Sequence, residues 1–195
     1  MTTCKKFAAS VLFALSSATM ASAAADVITF DDIDTVDFNP VHFNYHHFQW
    51  SNLYALNSLL PQYQGSGYAN GMASFYNVAF NRAGEDAAFT STSRFNLLSI
   101  EVTNAFASRD VPAHFDGYVG DRLVYSLDVM ANAERPTHVV FGWTGVTRVV
   151  MRGNGNFDQT VLDNISVSAV PEAHSYALLL AGLGLLAFTA RRRSL

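Results

Sequence analysis

Residues 122–130 alternate with a period of two: Leu123, Tyr125, Leu127 and Val129 fall on one side, and Arg122, Val124, Ser126 and Asp128 on the other. Such alternation describes an extended strand with one buried and one wetter face, and it has no room for a helical stripe. The same reading, less regular, predicts strands over Asp26–Asp31, Val41–Phe48, Met72–Phe80, Phe95–Thr103, Phe115–Val119, His138–Trp143, Thr147–Met151 and Val161–Ala169. Turn residues punctuate them at Gly65-Ser66-Gly67, Asn81–Gly84, Gly120-Asp121 and Gly153-Asn154-Gly155. Many short strands without intervening amphipathic helices predict an all-β domain, a β-sandwich or jelly roll. A mixed α+β fold with a helix around Trp50–Leu60 is the competing architecture.

Half the residues of this 195-residue chain are hydrophobic and only 14% are charged, but the apolar excess is concentrated at the two ends. Lys5 and Lys6, the apolar stretch Phe7–Met20 and the small residues Ala21-Ser22-Ala23 follow the order of a secretory signal peptide, residues 1–23. The single cysteine, Cys4, lies inside it, so the exported chain would carry no disulfide. At the other end, Tyr176–Ala190 is uncharged and precedes Arg191-Arg192-Arg193. As a transmembrane helix this run would reach about 22 Å of the ~30 Å hydrocarbon core, with snorkelling arginines closing part of the gap. The arginines predict a cytoplasmic C-terminus, which places the domain of residues 24–169 outside. That domain is long enough to bury a core.

The order Val170-Pro171-Glu172, apolar helix, arginine cluster over residues 170–195 resembles the PEP-CTERM sorting signal of Gram-negative bacteria. Ala173 stands where that signal has its second proline. The resemblance implies recognition by a membrane-embedded exosortase, a transient membrane anchor, and a final place at the cell surface or in the extracellular matrix of a biofilm. Further motifs are Trp50-Ser51-Asn52-Leu53-Tyr54, Ser66–Gly71, Asn77–Asn81, Phe141–Val146 and the closing Leu162-Asp163-Asn164-Ile165. Together these resemble a group of secreted microbial proteins with jelly-roll, carbohydrate-module-like domains, for which the resemblance supplies no activity.

Charge narrows the partners. The formal net charge is −4, and residues 24–169 hold seven arginines and no lysine against fifteen acids. No basic stripe exists, which excludes nucleic acid as a partner. An acidic, lysine-free surface repels polyanions and suits calcium-rich or neutral-polysaccharide surroundings.

Asp32 continues the apolar row of Ile28 and Phe30, and Asp163 continues that of Val161, Ile165 and Val167. An unpaired charge in such a row costs several kcal/mol, so each needs an arginine, backbone amides or a cation. A structural calcium completed by Asp31 and Asp34 is one expectation, and capping by amides is the other. Asn154, Asn156 and Asp158 alternate in a glycine-containing loop, but without a bidentate acid at EF-hand spacing they read as a hairpin turn. His42 and His46 share a strand face at a separation of about 13 Å, too far to chelate one zinc.

Trp50, Tyr54, Tyr68 and Trp143 are candidates to stack on sugar rings, with the hydrophobic core as their other role; Tyr118 has the same two readings. No nucleophile elbow, metalloprotease helix or phosphate-binding glycine loop occurs. Only Glu85, Glu101 and Glu134 supply glutamates to residues 24–169. The expectation is a non-enzymatic surface or matrix protein that binds or structures glycan; a secreted polysaccharide hydrolase is the alternative.

Overall fold

The structure, a computed structural model, describes residues 24–106, 108–153, 158–170, 179–187 and 189. The expected signal peptide, Pro171, Glu172, Arg191, Arg192, Arg193, Asn154 and Asn156 lie outside the described residues. The strands are β1 (Ala25–Ile28), β2 (Phe38–Pro40), β3 (Gln49–Ser51), β4 (Leu53–Asn57), β5 (Asn77–Asn81), β6 (Ala87–Asn104), β7 (Val111–Val119), β8 (Arg122–Ala131), β9 (Thr137–Arg152) and β10 (Thr160–Ala169). One short helix, α1, spans Gly67–Asn70.

All strand pairings are antiparallel, and the ten strands form one hydrogen-bonded sheet with the β6–β9 ribbon inside it. Near one end of the ribbon β3 pairs with the start of β6, and β7 followed by β8 flanks the end of β9. Beyond Phe95, β6 pairs with β10 instead. The far edge of β10 carries β5 and then β1, and β4 and β2 extend the sheet outward. The bend lies where the β6–β9 register shifts, between Thr90 and Ser99. Gly142 and Gly145 sit in the bend at φ 61° and 68°, a conformation that glycine adopts without Cβ strain. Across it the buried positions of β6 change from Ala87, Phe89, Phe95 and Leu97 to Ile100 and Val102, a one-residue slip that exchanges the faces. The two strands expected at His138–Trp143 and Thr147–Met151 are therefore one strand with a glycine corner.

The main core draws on strands from both ends of the β6–β9 ribbon, with Ile28, Trp50, Leu53, Phe89, Phe115, Trp143, Val149, Leu162 and Ile165 among its members. Strands that switch sheets at bulges are the construction of a β-sandwich corner. A smaller cluster lies on the opposite face of the β4–β5–β10 region: Leu56, Val78, Phe80 and Val161, covered by Tyr68 and Ala105. The alternation Ala55/Leu56, Ala79/Phe80 and Leu162/Val161 sends neighbours to the two cores in turn.

Helix α1 is pinned to the second cluster at its first residue. The Gly67 amide donates to the Ala105 carbonyl at 2.8 Å, and a Cβ at Gly67 would sit 1.8 Å from the Asn104 carbonyl oxygen. Ser66 caps the helix, its hydroxyl accepting from the Tyr68 amide at 3.3 Å.

Three expectations are corrected. Val41–Phe48 is not a strand: Asn44, His46 and His47 take φ of 77°, 48° and 65°, and Tyr45–His47 forms a 3-10 turn. Asn and His tolerate this left-handed region better than most side chains. The alternative helix at Trp50–Leu60 is replaced by β3 and β4. The strand expected from Met72 begins only at Asn77, because the amides before it are bonded to aspartates described below.

At its end β10 pairs Ala169 with Phe95, and the Val170 amide donates to the Arg94 carbonyl at 3.4 Å. Residues 179–187 and 189 are helical and exposed along 179–187. Among the described residues no helix is long and apolar enough to cross a membrane.

Candidate functional site

On the outer face of β2, β4 and β5 the second cluster stays open, leaving a cleft of about 490 Å³. Five rings line it, those of Phe38, Tyr63, Tyr68, Phe80 and Phe106, with the polar side chains of Gln62, Ser66, Arg82 and Gln159. Tyr68 is the hub. Its ring meets Tyr63, Phe80 and Phe106 edge-on, with centroids 5.4, 5.4 and 5.5 Å away. Burial pushes its hydroxyl above the usual phenol range, and that hydroxyl donates to Gln159 Oε1. Phe106 at 60% and Phe38 at 38% exposure present apolar surface at the mouth.

Arg82 completes the rim. Its guanidinium lies 4.9 Å from the Tyr54 ring centroid and 5.7 Å from that of Phe38, and Nη1 donates to the Tyr54 hydroxyl at 3.0 Å. Aromatic walls with a few convergent polar groups suit a ring-shaped ligand that has apolar faces and polar edges.

Of the aromatic residues singled out from sequence, Tyr68 lines this cleft and Tyr54 is half-buried beside it. Trp50 and Trp143 are core residues, a correction to their role as candidate ligand surfaces. Trp50 donates its indole N–H to the Tyr45 carbonyl at 2.8 Å while its ring packs on Phe89. Trp143 stacks on Tyr125 at 5.3 Å and 8°, over Gly117, where a Cβ would come within 2.7 Å of the indole. Tyr118 is buried as well. Phe38, Tyr63, Phe80, Phe106 and Arg82 were not among the candidate ligand residues; the local signals were the Asn77–Asn81 motif for Phe80, the Asn81–Gly84 turn for Arg82 and the Gly65-Ser66-Gly67 turn beside Tyr63.

Three of the four aspartates proposed for calcium, Asp31, Asp32 and Asp163, have protein partners for their carboxylates. Asp163 is fully buried, and its carboxylate accepts from the amides of Ala73, Ser74 and Asn164, each at 2.7 Å, and from the Ser74 hydroxyl at 3.0 Å. Burial pushes its carboxyl up to about 6, against these donors, which favour the anion. Asp31 accepts from the amides of Phe75, Tyr76 and Asn77 at 3.3, 3.0 and 2.9 Å. Asp32 accepts from the Tyr45 hydroxyl, and the Asp34 carbonyl accepts from Asn39 Nδ2 at 2.8 Å. Among the described residues no group of three or more acidic, histidine or cysteine side chains is arranged to hold a metal ion.

A second polar cluster lies across β7, β8 and β9. His114 Nδ1 is 2.6 Å from Asp128 Oδ1, and Nε2 is 3.2 Å from Ser126 Oγ, distances that match a serine nucleophile with its base. Nε2 also lies 3.1 Å from Asp116 Oδ1. The Asp128 and Asp116 carboxylates raise the imidazole's affinity for a second proton. Arg152 continues the chain of charge, pairing with Asp116 and Asp86 at 2.8 Å each.

Comparison with known proteins locates the other functional segment. The PEP-CTERM protein-sorting motif matches residues 169–193. No curated protein matches the chain. Among solved structures, the K2 cleaved adhesin domain of Lys-gingipain is similar over 74% of this chain and 99% of its own, at 12% identity and a TM-score of 0.47. The CBM22-1 xylan-binding domain from Paenibacillus barcinonensis Xyn10C is similar over 78% of this chain and all of its own, at 10% identity and a TM-score of 0.43.

Proposed function

We propose that a chain bearing this sorting motif is exported, handed through its C-terminal segment to an exosortase-type enzyme, and delivered to the cell surface or extracellular matrix. There its β domain binds carbohydrate in the aromatic cleft. The supporting observation is the cleft itself: the five rings offer apolar faces, and Gln62, Gln159 and Arg82 offer polar edges. A pyranose has the same two surfaces, CH groups on its faces and hydroxyls on its rim.

Binding rather than hydrolysis is the better reading of this cleft. Among its lining residues there is no carboxylate, and glycoside hydrolysis ordinarily uses a pair of them. Glu101, the half-buried glutamate, is bonded to His138 at 2.7 Å on another part of the fold. The test is a glycan array on the purified protein, wild type beside Phe106→Ala and Tyr63→Ala. Retention on at least one glycan by wild type, weakened in both variants, supports the reading; equal retention by all three proteins would remove the cleft from it.

A further inference from the structure

Taking the cleft as the glycan site, we infer that it is built for an acidic sugar, a uronate whose ring carboxylate pairs with Arg82. The inference deepens that reading and rests on it. The domain as a whole is acid-rich, yet no acid is among the residues that line the cleft. Arg82 forms no ion pair among the described residues. Its contacts are two rings and a phenol oxygen, which fix the plane of the guanidinium without neutralising it.

Gln159 leans the same way. Gln159 uses its oxygen to accept from Tyr68, which leaves the amide hydrogens as its remaining function toward the cleft. Gln62 donates to Asp37 Oδ1 at 3.2 Å, and the Tyr63 hydroxyl donates to the same oxygen, so this nearby carboxylate is turned toward Tyr63 and Gln62. A cleft that sets the remaining N–H groups of Gln159 and a guanidinium without a carboxylate partner beside aromatic faces suits a ligand with acceptors and a negative charge. A planar fork of N–H groups matches a carboxylate two bonds for two, and a ring-bound carboxylate lets the sugar face lie on Phe106 at the same time. The general acidity of the domain opposes anions at long range, but at physiological ionic strength the Debye length is about 8 Å, so groups beyond the cleft are largely screened.

The experiment is titration calorimetry on the full purified protein. The probes are short oligomers of galacturonate, glucuronate, mannuronate and guluronate, each beside its methyl ester, with a sulfated galactan oligomer as a second anion. At least one acid should bind about tenfold more tightly than its own ester. Arg82→Gln should erase that preference, Arg82→Lys should keep part of it, and Phe106→Ala should weaken acid and ester alike. Circular dichroism confirms that each variant is folded. If an ester or neutral glycan binds as well as every acid, or Arg82→Gln leaves the preference intact, the acidic-sugar inference is overturned while the glycan site stands. A sulfated oligomer that outbinds every uronate overturns the carboxylate. If nothing binds and Phe106→Ala is without effect, the glycan reading itself fails.

Discussion

Asp31 and Asp163 divide between them the five consecutive backbone amides of Ala73–Asn77, Asp163 taking the first two and Asp31 the next three. One aspartate lies just beyond β1 and the other in β10, so the residues leading into β5 are fixed by side chains from two distant places. Each carboxylate stands where a strand neighbour would otherwise offer carbonyl oxygens.

Asp163→Asn should therefore destabilise the domain by about 2 kcal/mol, since one acceptor oxygen becomes a donor facing other donors. Asp163→Ala should cost more, because it leaves several buried amides without a partner. Urea denaturation measures both. Midpoints equal to wild type would mean that residues 73–77 find other acceptors.

Stability should peak on the acid side of neutrality. The folded Asp163 carboxyl, at about 6, lies above its usual 3.8, so its contribution is full below about pH 4 and lost as pH rises through 6. His114 is raised above 6.5, chiefly by its bond to Asp128, and its contribution fades as pH rises through that higher folded value. Asp31, Asp86 and Asp116 are desolvated, which raises them, but bonds to backbone amides and to Arg152 bring them below 3.8. What they contribute is present above that value and lost in stronger acid. The melting temperature should rise as pH falls from 8 to about 4, then fall in stronger acid. A His114→Gln, Asp163→Asn double variant should show a flat neutral arm; the same rise in that variant would refute this assignment.

Trp143→Ala should cost about 4 kcal/mol, the range for emptying a large aromatic site in a core. Glycan affinity of the folded fraction should not change, because the ring faces Tyr125, Phe141 and Gly117 rather than the cleft. Denaturation and calorimetry together separate the two effects.

Gly67→Ala should destabilise by about 1–3 kcal/mol, since the new methyl meets backbone and the Asn104 carbonyl cannot rotate away. Because Tyr68 follows directly, glycan affinity should fall as well. Unchanged affinity would show that the cleft is indifferent to where α1 sits.

Changing Arg191, Arg192 and Arg193 to Glu should impair sorting, since acids supply no positive-inside signal. Cell fractionation in a host with the sorting machinery reads the result, and wild-type distribution of the variant would count against a role for the arginines.

The strands that read clearly from sequence are those that alternate without interruption, as β8 does; even there, its place at the sheet edge leaves Leu123 half exposed while Val129 is buried. The corner in β6 and β9 was hidden because a bulge breaks the period inside one strand, and a broken period looks like two strands. At Tyr45–His47 the composition favoured a strand, and only the Asn44 and His46-His47 tolerance of left-handed backbone hinted at a turn. The cleft was less legible still. Phe38, Tyr63, Arg82 and Phe106 converge from four separate segments, and nothing local to any of them distinguishes a ring at a cleft mouth from a ring in a core.

The matched sorting motif begins at residue 169, and Ala169 is still paired with Phe95 while Val170 is bonded to Arg94. The described end of the domain, Ala169 and Val170, is thus held in the sheet where the motif starts. Over Val161–Leu162 and Ser166–Ser168, β10 has partners on both edges. A pull on the tail along the strand axis would load those bonds together, in shear, rather than opening them one by one. A load applied at Val170 is thereby carried by a strand held from two sides.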